Sequence, residues 1–449
     1  MNLVEFFSNA NVFLGLPATV IFLLVGIILT LKTRFIQFRG IPRLFSFAFK
    51  GFEKRSSTKS ENTISAFHAM FTAMGTSLGM GNIVGPSMAI IVGGPGALFW
   101  LVMYAFFGGV TRFVEATFAI VTREKDANGD IVGGPVQYLK LVNRWIANWY
   151  GGVMILLFAI WSGMQSNTLA NILAKESVPK WWVGLSLAVV VAVVLHGGAR
   201  RVGLVVSKLV PVMFVLYMFF SLWIIFGDFL ALKTALNLIL SNIFTPAAPV
   251  GAFLGSAISN SMRIGIFKSI FITEAGLGTS SIPHSLSDAK RPTDQGLLAM
   301  YSICADAFLS FVSGLVVIVT GLWITASELD PTLVYTAFKS YTPFLGGSVL
   351  IISVTLFVLT TVIGNSFNGM QSFVALVSNR WLIYYKIFAL IVIFFGSMVS
   401  VPLIWQLVDF LITFVAVPNV ISILILAFTN PEALDIKREI PVIYLDVKK

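Results

Sequence analysis

Apolar stretches of about 20 residues recur along this chain and constrain its fold more than any other feature. A bilayer core about 30 Å thick needs ~20 apolar residues for each helical crossing. Counted on this basis, the stretches predict an all-α polytopic membrane protein with about eleven spans. The predicted spans are residues 12–32, 63–92, 96–122, 150–173, 181–198, 204–226, 255–284, 296–325, 346–376, 383–399 and 402–428.

The composition of the 449 residues excludes the common soluble classes. Only 11% of the residues are charged and 57% are hydrophobic, whereas soluble domains carry about 25% charged residues. The single cysteine, Cys304, excludes a disulfide and a cysteine-rich metal site. We also find no nucleophile–base pairing, transition-metal cluster or phosphate-binding loop, so we expect neither an enzyme nor a cofactor.

The net charge of +10 reports membrane topology rather than nucleic-acid binding, because no nucleic-acid motif accompanies the basic residues. Lysine and arginine concentrate in alternate loops, which the positive-inside rule places in the cytoplasm. The N-terminus is therefore predicted outside and the C-terminus in the cytoplasm. No Lys or Arg precedes the first span, so we expect a retained helix rather than a cleaved signal. We expect the protein to lie in the plasma membrane of a prokaryotic cell.

Two spans are interrupted by glycine. The stretch "GTSLGMGNIVGP", residues 75–86, lies in the second span, and "TEAGLGTSS", residues 273–281, lies in the seventh. The two spans are five apart and run in opposite directions, which is typical of a transporter with an inverted repeat. The predicted organisation is an N-terminal helix and basic loop (1–62), a first repeat (63–226), an extracellular connector (227–254), an inverted repeat (255–428) and a cytoplasmic tail (429–449).

Unwound backbone at membrane depth is tolerated where it lines a cavity, so these interruptions predict a polar site. Free N–H groups where the second span resumes its helix near Asn82 suit a carboxylate, and Gly79 and Gly81 allow close approach to the backbone. Carbonyls near 75–78 suit a small cation, and those near Thr273 suit an ammonium group. A carboxylate and an ammonium group together describe an α-amino acid. A helix-packing motif at Gly75-x-x-x-Gly79 is the structural alternative.

Other polar residues also lie within the predicted spans. Glu274 and Asp306 are functional candidates by default, and a structural role is an equal alternative for each of them. Arg112 and Glu115, three residues apart on one span, are predicted to pair with each other. Gln165 and Asn167 are predicted to line the cavity.

Thr360 and Thr361 lie at the middle of the ninth span. Their hydroxyl groups would suit Na⁺, or would bond back to their own helix.

Four ordered motifs resemble the alanine or glycine:cation symporter family, with matches across roughly residues 64 to 430. They are "GNIVGPSMAIIVGGPGALFW" (81–100), "TREKDANGDIVGGPVQYL" (122–139), "EAGLGTSSIPHS" (274–285) and "QGLLAM" (295–300). The resemblance implies a leucine-transporter-like fold, a 5+5 inverted repeat with one extra N-terminal helix, and import of alanine or glycine with Na⁺ or, in some members, H⁺.

The resemblance also implies roles for individual residues. "LGMGN" (78–82) is similar to the unwound helix of sodium-coupled amino-acid transporters, which assigns 79–82 to the substrate carboxylate. The chain departs from the family at Ile272 and Thr273, where Ser-Asn is common, and at Met80 and Pro86, which replace smaller residues. The substrate candidates are Thr76, Gly79, Met80, Gly81, Asn82, Gln165, Thr273, Glu274, Gly276 and Gly278. The cation candidates are Gly75, Leu78, Thr360 and Thr361.

Na⁺-coupled import of a small neutral amino acid is the first functional hypothesis. A proton-coupled symporter that uses Glu274 or Asp306 is the alternative. A channel with the interruptions as its selectivity element is a third, from another class. The partners expected are the amino acid, Na⁺ and the lipid bilayer, without nucleic acid.

Overall fold

The computed structural model describes residues 2–53, 63–125, 129–244, 260–326 and 330–438, and these are almost entirely helical. The α-helices are α1 (Leu3–Lys32), α2 (Ile36–Arg39), α3 (Ile41–Glu53), α4 (Ala66–Ser77), α5 (Met80–Gly93), α6 (Ala97–Val121), α7 (Pro135–Lys140), α8 (Arg144–Ala174), α9 (Lys180–Leu195), α10 (Gly198–Gly227), α11 (Phe229–Ser241), α12 (Asn260–Thr273), α13 (Ser281–Ser285), α14 (Pro292–Val319), α15 (Leu333–Tyr341), α16 (Leu345–Leu376), α17 (Leu382–Gly396) and α18 (Val401–Thr429). Two short antiparallel strands, β1 (Glu124–Lys125) and β2 (Ile131–Val132), pair in one loop.

Over the described residues, each predicted span overlaps a helix or a helix pair. Within the described ranges, eight helices are long and apolar enough to cross a membrane, and a ninth crossing is formed if α4 and α5, bent by 42°, count as one span. Helices α9 and α12 coincide with two further predicted spans but are shorter. The count of eleven therefore stays a prediction, while the all-α membrane architecture is confirmed.

Parts of the predicted organisation fall outside the described residues. These parts are residue 1 and 54–62 of the N-terminal segment, 126–128 of the first repeat, 245–254 of the connector, 255–259 of the seventh span, 327–329 of the inverted repeat and 439–449 of the tail. The rest of the connector contains α11, and the rest of the N-terminal loop contains α2 and α3. The domain boundaries themselves stay predictions.

The bundle has an apolar core that also encloses charged side chains, and its surface exposes large apolar side chains, unlike that of a typical soluble protein. Arg112, Glu115 and Asp306 are fully buried, whereas Val215 and Phe219 on α10 are 65% and 71% exposed. Lipid solvates such apolar surfaces, so a membrane protein gains nothing by burying them. Helix α5 is almost wholly enclosed, and it positions the interruption before it at the centre of the bundle.

Candidate functional site

The first break, residues 78–79, separates α4 from α5. Gly79 is extended, with φ −133° and ψ −162°. The break is shorter than predicted, because Gly75 still lies within α4 and the helix resumes at Met80 instead of near Asn82. A glycine inside a helix costs only about 1 kcal/mol, which the packing of a buried helix offsets. Gly81 is an example, since a Cβ there would lie 2.9 Å from the Phe271 ring.

Two amide side chains hold the start of α5. The Gly79 N–H donates to Asn82 Oδ1 at 3.1 Å, and Asn82 Nδ2 donates to the Asp306 carbonyl at 3.3 Å. The Met80 N–H donates to Gln165 Oε1 at 3.1 Å. An amide oxygen thus occupies the positive end of α5, in the place where a carboxylate would be stabilised.

The other side of the first break presents oxygen atoms. The Thr361 hydroxyl donates to the Leu78 carbonyl at 3.2 Å. A Cβ on Gly79 would lie 2.6 Å from Thr361 Oγ1 and 3.3 Å from Gln165 Nε2. Gly79, Gln165 and Thr361 therefore converge, and the Leu78 carbonyl and Thr361 hydroxyl are ligands of the kind that Na⁺ takes.

Thr360 does not reach this site. Its hydroxyl bonds back to the Phe357 carbonyl at 3.0 Å and contacts Met213 Sδ at 3.4 Å. Thr76 and Gly75 support the first break from α4, where Thr76 Oγ1 donates to the Ala73 carbonyl at 2.6 Å and Gly75 packs against Val206.

The second break, residues 274–280, separates α12 from α13. Its backbone is left-handed at Glu274 (φ 52°), Gly276 (φ 90°) and Gly278 (φ 83°), a conformation that costs a non-glycine residue free energy. Side chains from other helices hold its carbonyls. Asn419 Nδ2 donates to the Gly276 carbonyl at 2.8 Å, so this backbone is fixed by protein groups.

Glu274 and Thr273 are buried at the entrance to the second break. Glu274 Oε2 accepts a hydrogen bond from the Thr279 hydroxyl, and its Oε1 has no hydrogen-bond partner among the described residues. Thr273 Oγ1 bonds back to the Ser269 carbonyl at 2.6 Å. The residues predicted to bind substrate and cation therefore fall into two groups, one at the first break and one at the second.

Arg112 pairs across helices, and the predicted Arg112–Glu115 pair is wrong. Arg112 Nη1 lies 3.2 Å from Asp306 Oδ2, while Glu115 Oε1 accepts from Asn419 Nδ2 at 2.7 Å. Pairs three residues apart on one helix contribute only a few tenths of a kcal/mol, so a buried partner on another helix displaces them. Asp306 Oδ1 also accepts from Ser77 Oγ at 2.9 Å, which connects this ion pair to the first break.

The sequence also predicts that Asn167 lines the cavity, but its contacts place it elsewhere. Its Nδ2 donates to the carbonyls of Gly396 and Val399 at 2.9 and 2.7 Å, where it caps the end of α17. Gln165, two residues earlier, faces the first break instead. The two positions differ by about 200° around the helix axis, which explains their different surroundings.

An aromatic stack covers the first break on the side that the predicted orientation makes extracellular. The Phe271 ring lies 5.5 Å from Trp161 and 5.6 Å from Trp405, measured between centroids. Lys268 Nζ lies 5.6 Å from the Phe271 centroid. Phe271 also adjoins Gly81, so these rings pack directly against the start of α5.

Sequence reasoning missed several polar residues that bond to the backbone of the second break or lie next to one of the breaks. Asn419, Tyr150 and Ser77 bond to the breaks or to Asp306, and Lys268 pairs with Asp409. A polar residue inside an apolar span is itself a signal, and it could have identified Asn419 and Asp409. Within the described ranges, no three His, Cys, Asp or Glu residues could hold a metal ion together.

Known proteins resemble the chain over nearly its whole length. The sequence profile of the Sodium:alanine symporter family matches residues 1–436. The "Sodium/alanine symporter AgcS" of Methanococcus maripaludis is 32% identical over 95% of this chain and 95% of its own length. The "Probable sodium/glutamine symporter GlnT" of Bacillus subtilis is 30% identical over 96% of this chain and 91% of its own length.

A solved structure shares the fold at low sequence identity. The crystal structure of MhsT in complex with L-phenylalanine matches with a TM-score of 0.58 and 16% identity, and it covers 83% of this chain and 91% of that one. The likeness supports the leucine-transporter-like fold that the family resemblance implies.

Proposed function

Because this chain belongs to the sodium:alanine symporter family, we propose that it imports a small neutral amino acid, alanine or glycine, together with Na⁺ by alternating access. The observation that carries the proposal is the first break. There, Gly79 is approached by Gln165 and Thr361, and the positive end of α5 faces the carbonyl end of α4. A substrate carboxylate and a Na⁺ ion bound side by side need these two kinds of partner within a few ångströms of each other.

The substrate carboxylate would bind at the start of α5, near Gly79, Met80 and Gly81. This carboxylate would compete with Gln165 Oε1 for the Met80 N–H. Alternatively, the Gln165 side chain would donate to the carboxylate through its Nε2 group. The substrate ammonium group would face the carbonyl end of α12 near Thr273. The Leu78 carbonyl and Thr361 hydroxyl would hold Na⁺, so substrate and cation would stabilise the same backbone and bind cooperatively.

Alternating access would follow from two inverted five-helix repeats, with the N-terminus outside and the C-terminus in the cytoplasm of a prokaryotic cell. The amino acid carries no net charge, so the co-transported ion supplies the coupling. One positive charge moving through 100 mV yields ~2.3 kcal/mol, which by itself supports roughly 40-fold accumulation.

A proton-coupled symporter is the second candidate, favoured by the buried carboxylates. Three of them, Glu115, Glu274 and Asp306, are fully buried near a single guanidinium, Arg112. One oxygen of each of Glu115 and Glu274, Oε2 and Oε1 respectively, has no hydrogen-bond partner within the described part of the chain. A proton on one of these carboxylates would reduce the excess negative charge.

Uptake of labelled alanine into proteoliposomes tests the proposal. We expect accumulation with an inward Na⁺ gradient and an inside-negative potential, and a loss of accumulation when K⁺ replaces Na⁺ at constant pH. Uptake that is unchanged without Na⁺ would contradict it. Uptake driven by a pH gradient alone, and abolished in Glu274→Gln, would establish the proton-coupled alternative.

A further inference from the structure

Two asparagines on α16, Asn365 and Asn368, are fully buried. Neither the oxygen nor the nitrogen of either amide has a hydrogen-bond partner among the described residues. Other buried asparagines in this bundle differ, because Asn82, Asn167 and Asn419 each donate to a protein oxygen. Most buried polar side chains are hydrogen-bonded, so four unpaired amide atoms on one helix require an explanation.

The helix places both asparagines on the face that carries Thr361, and Thr361 adjoins the first break. Thr361, Asn365 and Asn368 are spaced at i, i+4 and i+7, which is one face of an α-helix. Thr361 is fixed against the Leu78 carbonyl. Asn365 lies one turn further along, ~6 Å by helical rise, and at this level α16 is packed on α4 through Gly364 and Thr76.

Asn365 and Asn368 form a polar stripe on α16, and the chemistry of this stripe suits an uncharged polar partner. Each carboxamide offers two N–H donors and one carbonyl acceptor, so the pair suits a partner that both accepts and donates. A cation would find only two amide oxygens there, and an apolar group would leave all four atoms unpaired, which is unfavourable for buried polar groups.

On the basis of the proposed function, we propose that the stripe of Asn365 and Asn368 binds the substrate side chain. Among the neutral amino acids that the protein transports, the preferred substrate is then one with a hydrogen-bonding side chain, an amide or a hydroxyl, ahead of alanine or glycine. With the carboxylate at the start of α5, the side chain extends along α16 from Thr361 toward Asn365.

Matched pairs of amino acids test this inference in Na⁺-driven proteoliposomes. Asparagine and leucine have side chains of nearly the same shape, as do serine and 2-aminobutyrate. For the native protein, we expect asparagine or serine to compete with labelled alanine about 10- to 100-fold better than its apolar isostere does. Equal competition by both members of both pairs would overturn the inference.

The Asn365→Leu variant makes the same isosteric change in the protein. We expect the ratio within the preferred pair to fall by about tenfold or more while Na⁺-dependent uptake of the apolar isostere persists. Ser353→Ala is the matched control on α16, because its hydroxyl already bonds to the Val349 carbonyl at 2.8 Å, and its ratio should equal the native one.

The outcomes separate the two proposals. Na⁺-dependent uptake with no preference for the polar member, or with a preference that survives Asn365→Leu, refutes the side-chain site and leaves symport intact. Absence of Na⁺-dependent uptake for every amino acid tested refutes the proposed function. If Asn365→Leu does not fold, Asn365→Asp keeps the shape and removes the donors, and the competition ratio for asparagine should fall in the same way.

Discussion

Lys268 Nζ lies 2.7 Å from Asp409 Oδ2, and the two side chains are each only 10% exposed. The pair joins α12 to α18 directly beside the Phe271 and Trp405 rings that cover the first break. Its position means that separating α12 from α18 breaks both an ion pair and an aromatic contact.

Removing one partner of this pair should destabilise the protein. In Asp409→Asn the Lys268 cation stays buried without a counter-charge, at a cost of about 3 kcal/mol. We expect a lower apparent melting temperature in detergent for this variant. The double variant Lys268→Met/Asp409→Leu should lose less than the single one, since apolar replacement of a buried pair is often neutral. A double variant that is less stable than Asp409→Asn would contradict this account.

A side chain at Gly79 should block transport without unfolding the protein. In Gly79→Ala the new Cβ would lie 2.6 Å from Thr361 Oγ1, and such overpacking costs about 1–3 kcal/mol. We expect alanine uptake to fall by about tenfold or more in proteoliposomes. Gly152→Ala is the control, because no heavy atom lies within 4 Å of a Cβ there, and it should transport normally.

The two adjacent threonines of α16 should differ in their effect on Na⁺. Thr361→Val removes the hydroxyl at the Leu78 carbonyl, and we expect the Na⁺ concentration for half-maximal uptake to rise about tenfold. Thr360→Val removes a hydroxyl that bonds to its own helix, so its Na⁺ dependence should stay close to native. Equal shifts in both variants would show that Thr361 is not a specific cation ligand.

The contact between α15 and the loop after α8 should depend on pH. Lys339 Nζ lies 2.5 Å from Glu176 Oε1, and this hydrogen bond holds the pKa of Glu176 below its ordinary value of 4.5. A lowered pKa in the folded state means that the stabilisation is complete at neutral pH and is lost as pH falls through that lowered value. We expect faster hydrogen exchange in α15 at pH 3 than at pH 7, after correction for intrinsic rates, and a smaller change in Glu176→Gln.

Local sequence determined the membrane architecture and the positions of both breaks. Apolar length specifies a helix that crosses lipid, and dense glycine identifies where such a helix stops, because each effect depends only on the residues of the stretch itself. The second break, with Gly276 and Gly278 in left-handed backbone, was predicted for this reason.

Only the tertiary structure decided which polar side chains meet. Arg112 contacts Asp306 rather than Glu115, and Thr361 reaches the first break while Thr360 does not. Neighbouring residues differ by about 100° around a helix axis, so a polar residue's partner depends on how each helix is rotated against the others. That rotation is set by packing across the whole bundle, which no single stretch of sequence specifies.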